Sequence, residues 1–275
     1  MFLYSRKFTV LQLAKMAYLL GITASPLLLR ALCRGPLKGF EFSTRAFEIY
    51  HDLLRRDPIP EMTLSEFGNG AETGQQVWID PAQSSREMSS GEVAALCWLV
   101  KWKQPKVVVE IGTYRGFTTR HMSRNTSADC RIYTIDLPPQ VALANPTAFS
   151  DPQLVKASAG AQRVFGNDPK ITQILHDSTT VDWKEFLDRP VDFALVDASH
   201  LYPHVQADTE GIMKVLAPNA IVLWHDYRPV EIRRGVKRYL DGLEKAGLPI
   251  KRLADTSFCI YRHAPSNQAA GVFAA

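Results

Sequence analysis

Two glycines four positions apart, Gly112 and Gly116, end the β-branched run Val107-Val-Val-Glu-Ile and precede a helical stretch from Phe117. A strand that turns into a helix through such a loop needs glycine twice, at Gly112 for the tight turn and at Gly116 for close approach of backbone to a ligand. Glu110, Thr113 and Tyr114 share the loop and count among the candidate ligand contacts. The spacing Glu-x-Gly-x-x-x-Gly lacks the glycine doublet that cradles a pyrophosphate, and no Gly-Lys-Ser/Thr follows for a P-loop. A phosphate is therefore not the expected guest. Asp136 closes the run Tyr133-Thr-Ile-Asp136, where a carboxylate can accept both hydroxyls of a ribose. Alone, Asp136 would read as a cap before Pro138; beside the glycine loop it points to an adenosine-like ligand. Asp177-Ser178, after a third apolar run, is placed to reach the adenine edge, though Asp-Ser is equally a good helix N-cap.

A second reactive set lies further along: Asp197, His200, His225 and Asp226, each just past an apolar run. Two carboxylates from adjacent strand ends can converge on one Mg²⁺, whose preference for oxygen and retained waters suits a sparse site. A neutral histidine beside them can take a proton from a reacting hydroxyl. Asp226 has a competing reading as the cap of a helix starting near Pro229. His121 and His204 read as structural histidines, and His225 is given no separate role.

These residues need a frame that brings strand ends together. From a capping-box spacing at Ser89 and Glu92, apolar positions at helical period mark a helix over about Gly91 to Lys103. Strand-like and helical runs then alternate. They are Val107 to Ile111, Phe117 to Asn125, Arg131 to Ile135, Pro152 to Phe165 and Ile171 to Leu175. Trp183 to Leu187, Val191 to Val196, Tyr202 to Leu216, Ala220 to Trp224 and Val230 to Gly247 continue the series. Continuous Val/Ile/Leu strands between helices signal a parallel sheet covered on both faces. Lys251 to Leu253 and Phe258 to His263 read as an antiparallel hairpin at its edge.

The 275 residues suffice for one large α/β domain with an appendage. An excess of 32 basic over 28 acidic residues, formally +4, is too weak to imply nucleic acid. Cys33, Cys97, Cys130 and Cys259 lack metal-ligand spacing and read as buried thiols of a reducing, cytoplasmic protein. Residues 1–40 carry Arg6, Lys7, Lys15, Arg30, Arg34 and Lys38 but no acid. Their apolar stretch between Lys15 and Arg30 is too short to span a bilayer, which takes about 20 residues. A pair of short helices split near Ser25-Pro26 is expected, packed on the main domain or on a second copy, with contact to an anionic membrane surface as the alternative. The chain thus divides into an N-terminal helical extension and lid or linker (1–85), the main domain (86–265) and a disordered tail (266–275).

The blocks VVVEIGTYRGFTT and IYTIDLP resemble the class I S-adenosylmethionine (SAM)-dependent methyltransferases. So, above all, does the order Asp197-Ala-Ser-His200, Tyr202, Val205, Asp208, His225-Asp226-Tyr227. Within that class the chain is similar to the branch of macrocin-type sugar O-methyltransferases and cephalosporin hydroxylase-like proteins. The resemblance implies a Rossmann-like α/β fold with a mostly parallel seven-stranded sheet and an antiparallel C-terminal hairpin strand. It implies SAM on Glu110, Gly112, Thr113, Tyr114, Gly116, Asp136, Asp177, Ser178 and Asp197, Mg²⁺ on Asp197 and Asp226, and His200 as the base. Ala198 departs from the branch's glycine, Ser199 from a frequent second acid, and Pro218-Asn-Ala220 from a Pro-Gly-Gly turn. Tyr227 stands where catechol-type enzymes have a third Asp or Asn. The expected activity is O-methylation of a small polyhydroxylated acceptor, a sugar, glycolipid or natural product, by a chain that need not be monomeric. A non-catalytic SAM-fold scaffold is the alternative; an NAD-dependent oxidoreductase is disfavoured by the missing Gly-x-Gly-x-x-Gly.

Overall fold

The computed structural model describes residues 58–70, 75–81, 88–144, 163–227 and 235–264. The N-terminal helices and the tail lie outside them. Of the helix expected from Pro152, only Arg163, Val164 and Phe165 are described, and they are not helical.

The elements follow the order β1 (Glu61–Met62), α1 (Leu64–Phe67), α2 (Ser90–Lys103), β2 (Val107–Ile111), α3 (Phe117–Asn125), β3 (Arg131–Asp136), α4 (Pro139–Ala144) and β4 (Ile171–Leu175). They continue through β5 (Val191–Val196), α5 (Tyr202–Met213), β6 (Leu216–Trp224), α6 (Gly235–Lys245), β7 (Lys251–Leu253) and β8 (Cys259–Arg262). The run from Trp183 forms only a single 3₁₀ turn, Trp183–Glu185, capped by Asp182. The sheet order is β1-β7-β8-β6-β5-β2-β3-β4. Strands β2 to β6 are parallel, and β8 runs antiparallel to both β6 and β7, as the hairpin signal predicts. An eighth strand, β1, joins the edge in parallel with β7, within the stretch read from sequence as linker or lid.

Both faces of the central strands β2 and β5 are buried, which is why they read as nearly continuous apolar runs, whereas the edge strand β4 is partly exposed. Val107, Val109 and Ile111 of β2 pack with Trp183, Val205 and Leu240 on one face. Val108 packs with Leu96, Leu99 and Phe117 on the other. Helix α2 starts at the expected capping box, with Ser89 and Glu92 each bonding the other's backbone. Cys97, Cys130 and Cys259 are buried thiols, as expected. No helix among the described residues is long and apolar enough to cross a membrane.

The chain order reverses at β2, which has β3 on one side and β5 on the other, the switch point at whose carboxyl ends open α/β sheets bind ligands. The ladder continues past the strands. Gly112 N–H donates to Ile135 O at 2.9 Å, Asp197 N–H to Ile111 O at 2.8 Å and His225 N–H to Val196 O at 3.2 Å. Gly112, Asp197 and His225 therefore stand side by side along one edge. Gly112 also has φ +103°, and a Cβ there would meet Asp197 O at 2.3 Å. Gly112→Ala should consequently cost on the order of 3 kcal/mol of stability, from backbone strain and overpacking together, measured by urea unfolding.

Candidate active site

Beneath the glycine loop, Glu110 is fully buried. Its Oε2 accepts from the Thr119 hydroxyl of α3 and from the Thr134 hydroxyl at 2.6 Å. Thr134 also bonds the Thr113 hydroxyl at 2.7 Å. Oε1 has no hydrogen-bond partner among the described residues. Glu110 and Thr113 thus shape the loop from below. Burial, helped by the charges of Asp197 and Asp136, outweighs the two hydroxyl bonds and raises the Glu110 carboxyl to about 8.

At the end of β3, Asp136 Oδ2 accepts from Tyr114 N–H at 3.1 Å, and Oδ1 accepts from Leu137 N–H at 3.0 Å. Tyr114 reaches this position with φ +48°, a left-handed conformation uncommon for a side chain of its size. The Arg163 guanidinium also pairs with Asp136 Oδ2, at 3.2 Å. Gly116 has φ +76°, and a Cβ there would strike the Phe165 ring at 2.4 Å. The close approach expected at Gly116 is therefore made by a side chain of this chain. Asp177 accepts from Thr179 N–H at 2.9 Å and from the Thr179 hydroxyl at 2.7 Å in a turn, not as the N-cap of a helix. Ser178 bonds the buried carboxyl of Asp208. Burial raises that carboxyl to about 7, with the Ser178 bond opposing.

The second set assembles at the ends of β5 and β6. His225 Nδ1 lies 3.1 Å from Asp197 Oδ1 and 3.5 Å from Asp226 Oδ2. His200 Nε2 lies 2.9 Å from that same Asp226 Oδ2, so one carboxylate bridges two imidazoles. Behind the ring, His225 Nε2 is 3.5 Å from Glu92 Oε1. Burial opposes charge on His225, but Asp197 first, then Asp226 and Glu92, raise its pKa well above the usual imidazole value. Burial likewise opposes ionisation of Asp226, yet its bonds to His200 and His225 hold the carboxyl well below the usual carboxylate range.

Asp226 occupies φ +60°, another left-handed non-glycine position. Tyr227, in the place of a third acid, points elsewhere: its hydroxyl donates to Asp241 Oδ1 at 2.7 Å and accepts from Lys237 Nζ at 3.0 Å. The third potential ligand atom grouped with those of Asp197 and Asp226 comes instead from His225, on the other side of Asp226. In the sequence His225 groups with Asp197, His200 and Asp226 but has no role of its own. The structural readings of two other histidines agree with their contacts. His121 Nε2 accepts from Asp80 N–H at 2.9 Å, so Nδ1 donates to Phe117 O at 2.8 Å. His204 Nδ1 bonds the Ser199 hydroxyl at 2.9 Å.

Residues 109–227 match the family model of a methyltransferase domain. The matched segment runs from β2 through the end of β6, the parallel part of the sheet that carries both the glycine loop and the acid and histidine cluster. Uncharacterized protein y4gI of Sinorhizobium fredii (strain NBRC 101917 / NGR234) is 26% identical over 145 residues, an alignment covering 52% of this chain and 15% of that protein. The match thus spans only a small part of that relative's length. Among solved structures, the O-methyltransferase TomG of Streptomyces achromogenes, in complex with SAM, is 20% identical. It covers 72% of this chain and 98% of that one, at a TM-score of 0.45. The O-methyltransferase from Bacillus cereus, in complex with S-adenosylhomocysteine (SAH), is 15% identical over 66% of this chain and 84% of its own, at 0.43. SAH-bound PaMTH1 of Podospora anserina is 17% identical over 64% and 80%, also at 0.43. Likenesses this distant carry no residue role to this chain.

Because Glu110 holds its proton more tightly folded than unfolded, where a glutamate titrates near 4.3, its contribution to stability is complete below that pH. It is lost as pH rises and gone once pH passes about 8. Glu110→Gln mimics the neutral acid. The unfolding free energy of wild type minus that of E110Q should therefore decline across this window and be flat above it, as read by urea unfolding at stepped pH.

Proposed function

We propose that the chain is a SAM-dependent O-methyltransferase acting on a hydroxyl of a small polyhydroxylated acceptor, a sugar, glycolipid or natural product, with help from a divalent cation. The observation that carries this reading is the contact of Gly112 with the backbone of Asp197 and Ala198. Through it the loop suited to an adenosine and the acid and histidine cluster share one wall of one crevice. Asp136 takes the ribose hydroxyls, displacing or sharing the Arg163 guanidinium, while Tyr114 N–H keeps the carboxylate oriented. Glu110, Thr113 and Ser178 act one layer behind the cofactor, since their side chains are engaged within the protein.

In the reaction the S–CH₃ bond breaks as the O–CH₃ bond forms, giving SAH and a methyl ether. Charge on sulfur disappears, so alignment of acceptor oxygen, methyl carbon and sulfur does most of the work. The acceptor hydroxyl must also lose a proton, and its pKa lies far above 7. His200 is the base, and Asp226, 2.9 Å from its Nε2, stabilises the imidazolium that results.

Asp197, His225 and Asp226 fit a divalent cation, because their ligand atoms lie within 4.8 Å of one another. Two of the spacings, 3.1 and 3.5 Å, approach the roughly 3 Å between neighbouring ligands on an octahedral ion with bonds of about 2.1 Å. A bound ion there lowers the pKa of an acceptor hydroxyl. An imidazole in the donor set favours a transition-metal ion such as Mn²⁺ over the Mg²⁺ expected from two carboxylates alone.

Isothermal titration with SAH tests the cofactor half: Asp136→Ala should weaken binding at least tenfold, and wild-type protein that ignores SAH would sink the proposal. Transfer from labelled SAM to a glycan panel tests the rest. His200→Ala should lower kcat by about 10²- to 10⁴-fold with SAH affinity retained. Chelator should slow wild type, with Mn²⁺ restoring it better than Mg²⁺. SAH binding without turnover of any acceptor would favour the scaffold reading.

A further inference from the structure

The two oxygens of Glu92, in the first turn of α2, do different things. Oε2 closes the capping box, accepting from the Ser89 hydroxyl at 2.8 Å and from the Ser89 N–H at 3.1 Å. Oε1 points away from the helix start and accepts from Ser257 N–H at 3.0 Å and from the Ser257 hydroxyl at 2.5 Å, in the turn between β7 and β8. The same Oε1 faces His225 Nε2 at 3.5 Å. Helix capping alone does not explain this arrangement. Helix α1 carries the same capping box, Thr63 with Glu66, and there the glutamate is exposed. Glu92 is 5% exposed and His225 8%, so a carboxylate and an imidazole have been taken out of water together. Burying an acid in this way is costly unless its charge is used.

What Glu92 adds is control of the His225 ring. The backbone of His225 is fixed by its bond to Val196 O, and Phe258 packs against the ring with centroids 5.2 Å apart. Neither contact distinguishes the two edges of the imidazole. A half-turn about the Cβ–Cγ bond would leave the packing intact and present carbon atoms where Nδ1 now meets Asp197 and Asp226. The Glu92 carboxylate breaks that symmetry from the far side, because only the present orientation points Nε2 at it. Among the described residues, Nε2 has no other hydrogen-bond partner. At 3.5 Å the contact is long. Positive charge drawn onto Nδ1 would polarise Nε2–H and tighten it.

We propose that Glu92 is a positioning residue: it holds His225 through Nε2 so that Nδ1 faces Asp197 and Asp226, where it serves as the third donor to the divalent cation. The inference rests on the cation reading of that cluster. A carboxylate behind a ligating imidazole fixes the ring and makes the ligating nitrogen more basic, and losing such a partner typically weakens metal binding by about 10- to 100-fold.

The test uses the full chain as wild type, Glu92→Gln and Ser89→Ala. Glutamine keeps the shape of Glu92 and an oxygen for Ser257 but loses the charge. Ser89→Ala removes capping bonds on Oε2 and leaves Oε1 in place, so it reports helix damage alone. Mn²⁺ binding is followed by calorimetry, and the His225 Nε2–H by imidazole ¹H–¹⁵N spectra of metal-free protein. Mn²⁺ affinity should fall about 10- to 100-fold in E92Q and stay at the wild-type value in S89A. The Nε2–H signal should shift in E92Q but not in S89A. Wild-type affinity and an unshifted signal in E92Q would overturn the proposal, as would an equal loss of affinity in S89A. Should wild type bind no Mn²⁺, the cation reading fails by itself. The signal then decides the role of Glu92: a shift confined to E92Q keeps it as the group that sets the ring, and no shift ends it.

Discussion

Gly112 lies so close to the backbone of Asp197 and Ala198 that no other residue fits between them, and the layout of the site follows from that contact. A side chain there would push the ends of β2 and β5 apart and separate the loop beside Asp136 from the cluster on Asp197. The ladder bonds that continue past β2, β5 and β6 hold the same edge in line. A methyl donor and an acceptor must meet within a few tenths of an ångström of the productive geometry, so a rigid shared wall matters more than any single polar contact.

That edge gathers negative charge: Asp136, Asp197 and Asp226 stand on it, with Glu110 and Glu92 beneath. Each is balanced differently. Arg163 faces Asp136, His225 lies between Asp197 and Glu92, and His200 and His225 share Asp226. Glu110 has only hydroxyls for partners, and burial near two other acids keeps it protonated at neutral pH. A neutral Glu110 spares the crevice another anion while still bracing Thr134 and, through it, Thr113.

Much of this was legible in the sequence, because its signals are local. Gly112, Gly116 and Asp136 declare a loop and an acid by spacing, and alternating apolar runs declare the parallel sheet. What escaped was tertiary. Strand β1 is two residues long and exists only because β7 offers an open edge, reinforced by an ion pair between Arg252 and Glu61. Asn219 takes the left-handed conformation, φ +60°, inside β6, where the β5–β6 register shifts, so the expected turn is an irregularity of the strand. His225 stood in the His225-Asp226-Tyr227 block, but nothing local gave it a role. Glu92 announced one of its oxygens through the capping box and hid the other, since Ser257 and His225 lie far away in sequence.

Tyr227, in the position after Asp226, acts as an anchor, its hydroxyl held between Asp241 and the buried Lys237 of α6. Its N–H donates to Ser257 O at 2.9 Å, while the N–H and hydroxyl of Ser257 go to Glu92. Ser257 therefore joins both supports of the cluster, the one behind His225 and the one beneath the strained turn at Asp226. A left-handed aspartate costs of order 1–3 kcal/mol and persists only where its surroundings overdetermine it. Here two helices and the β7–β8 turn do so, and the carboxylate is thereby aimed at His200 and His225 rather than at solvent.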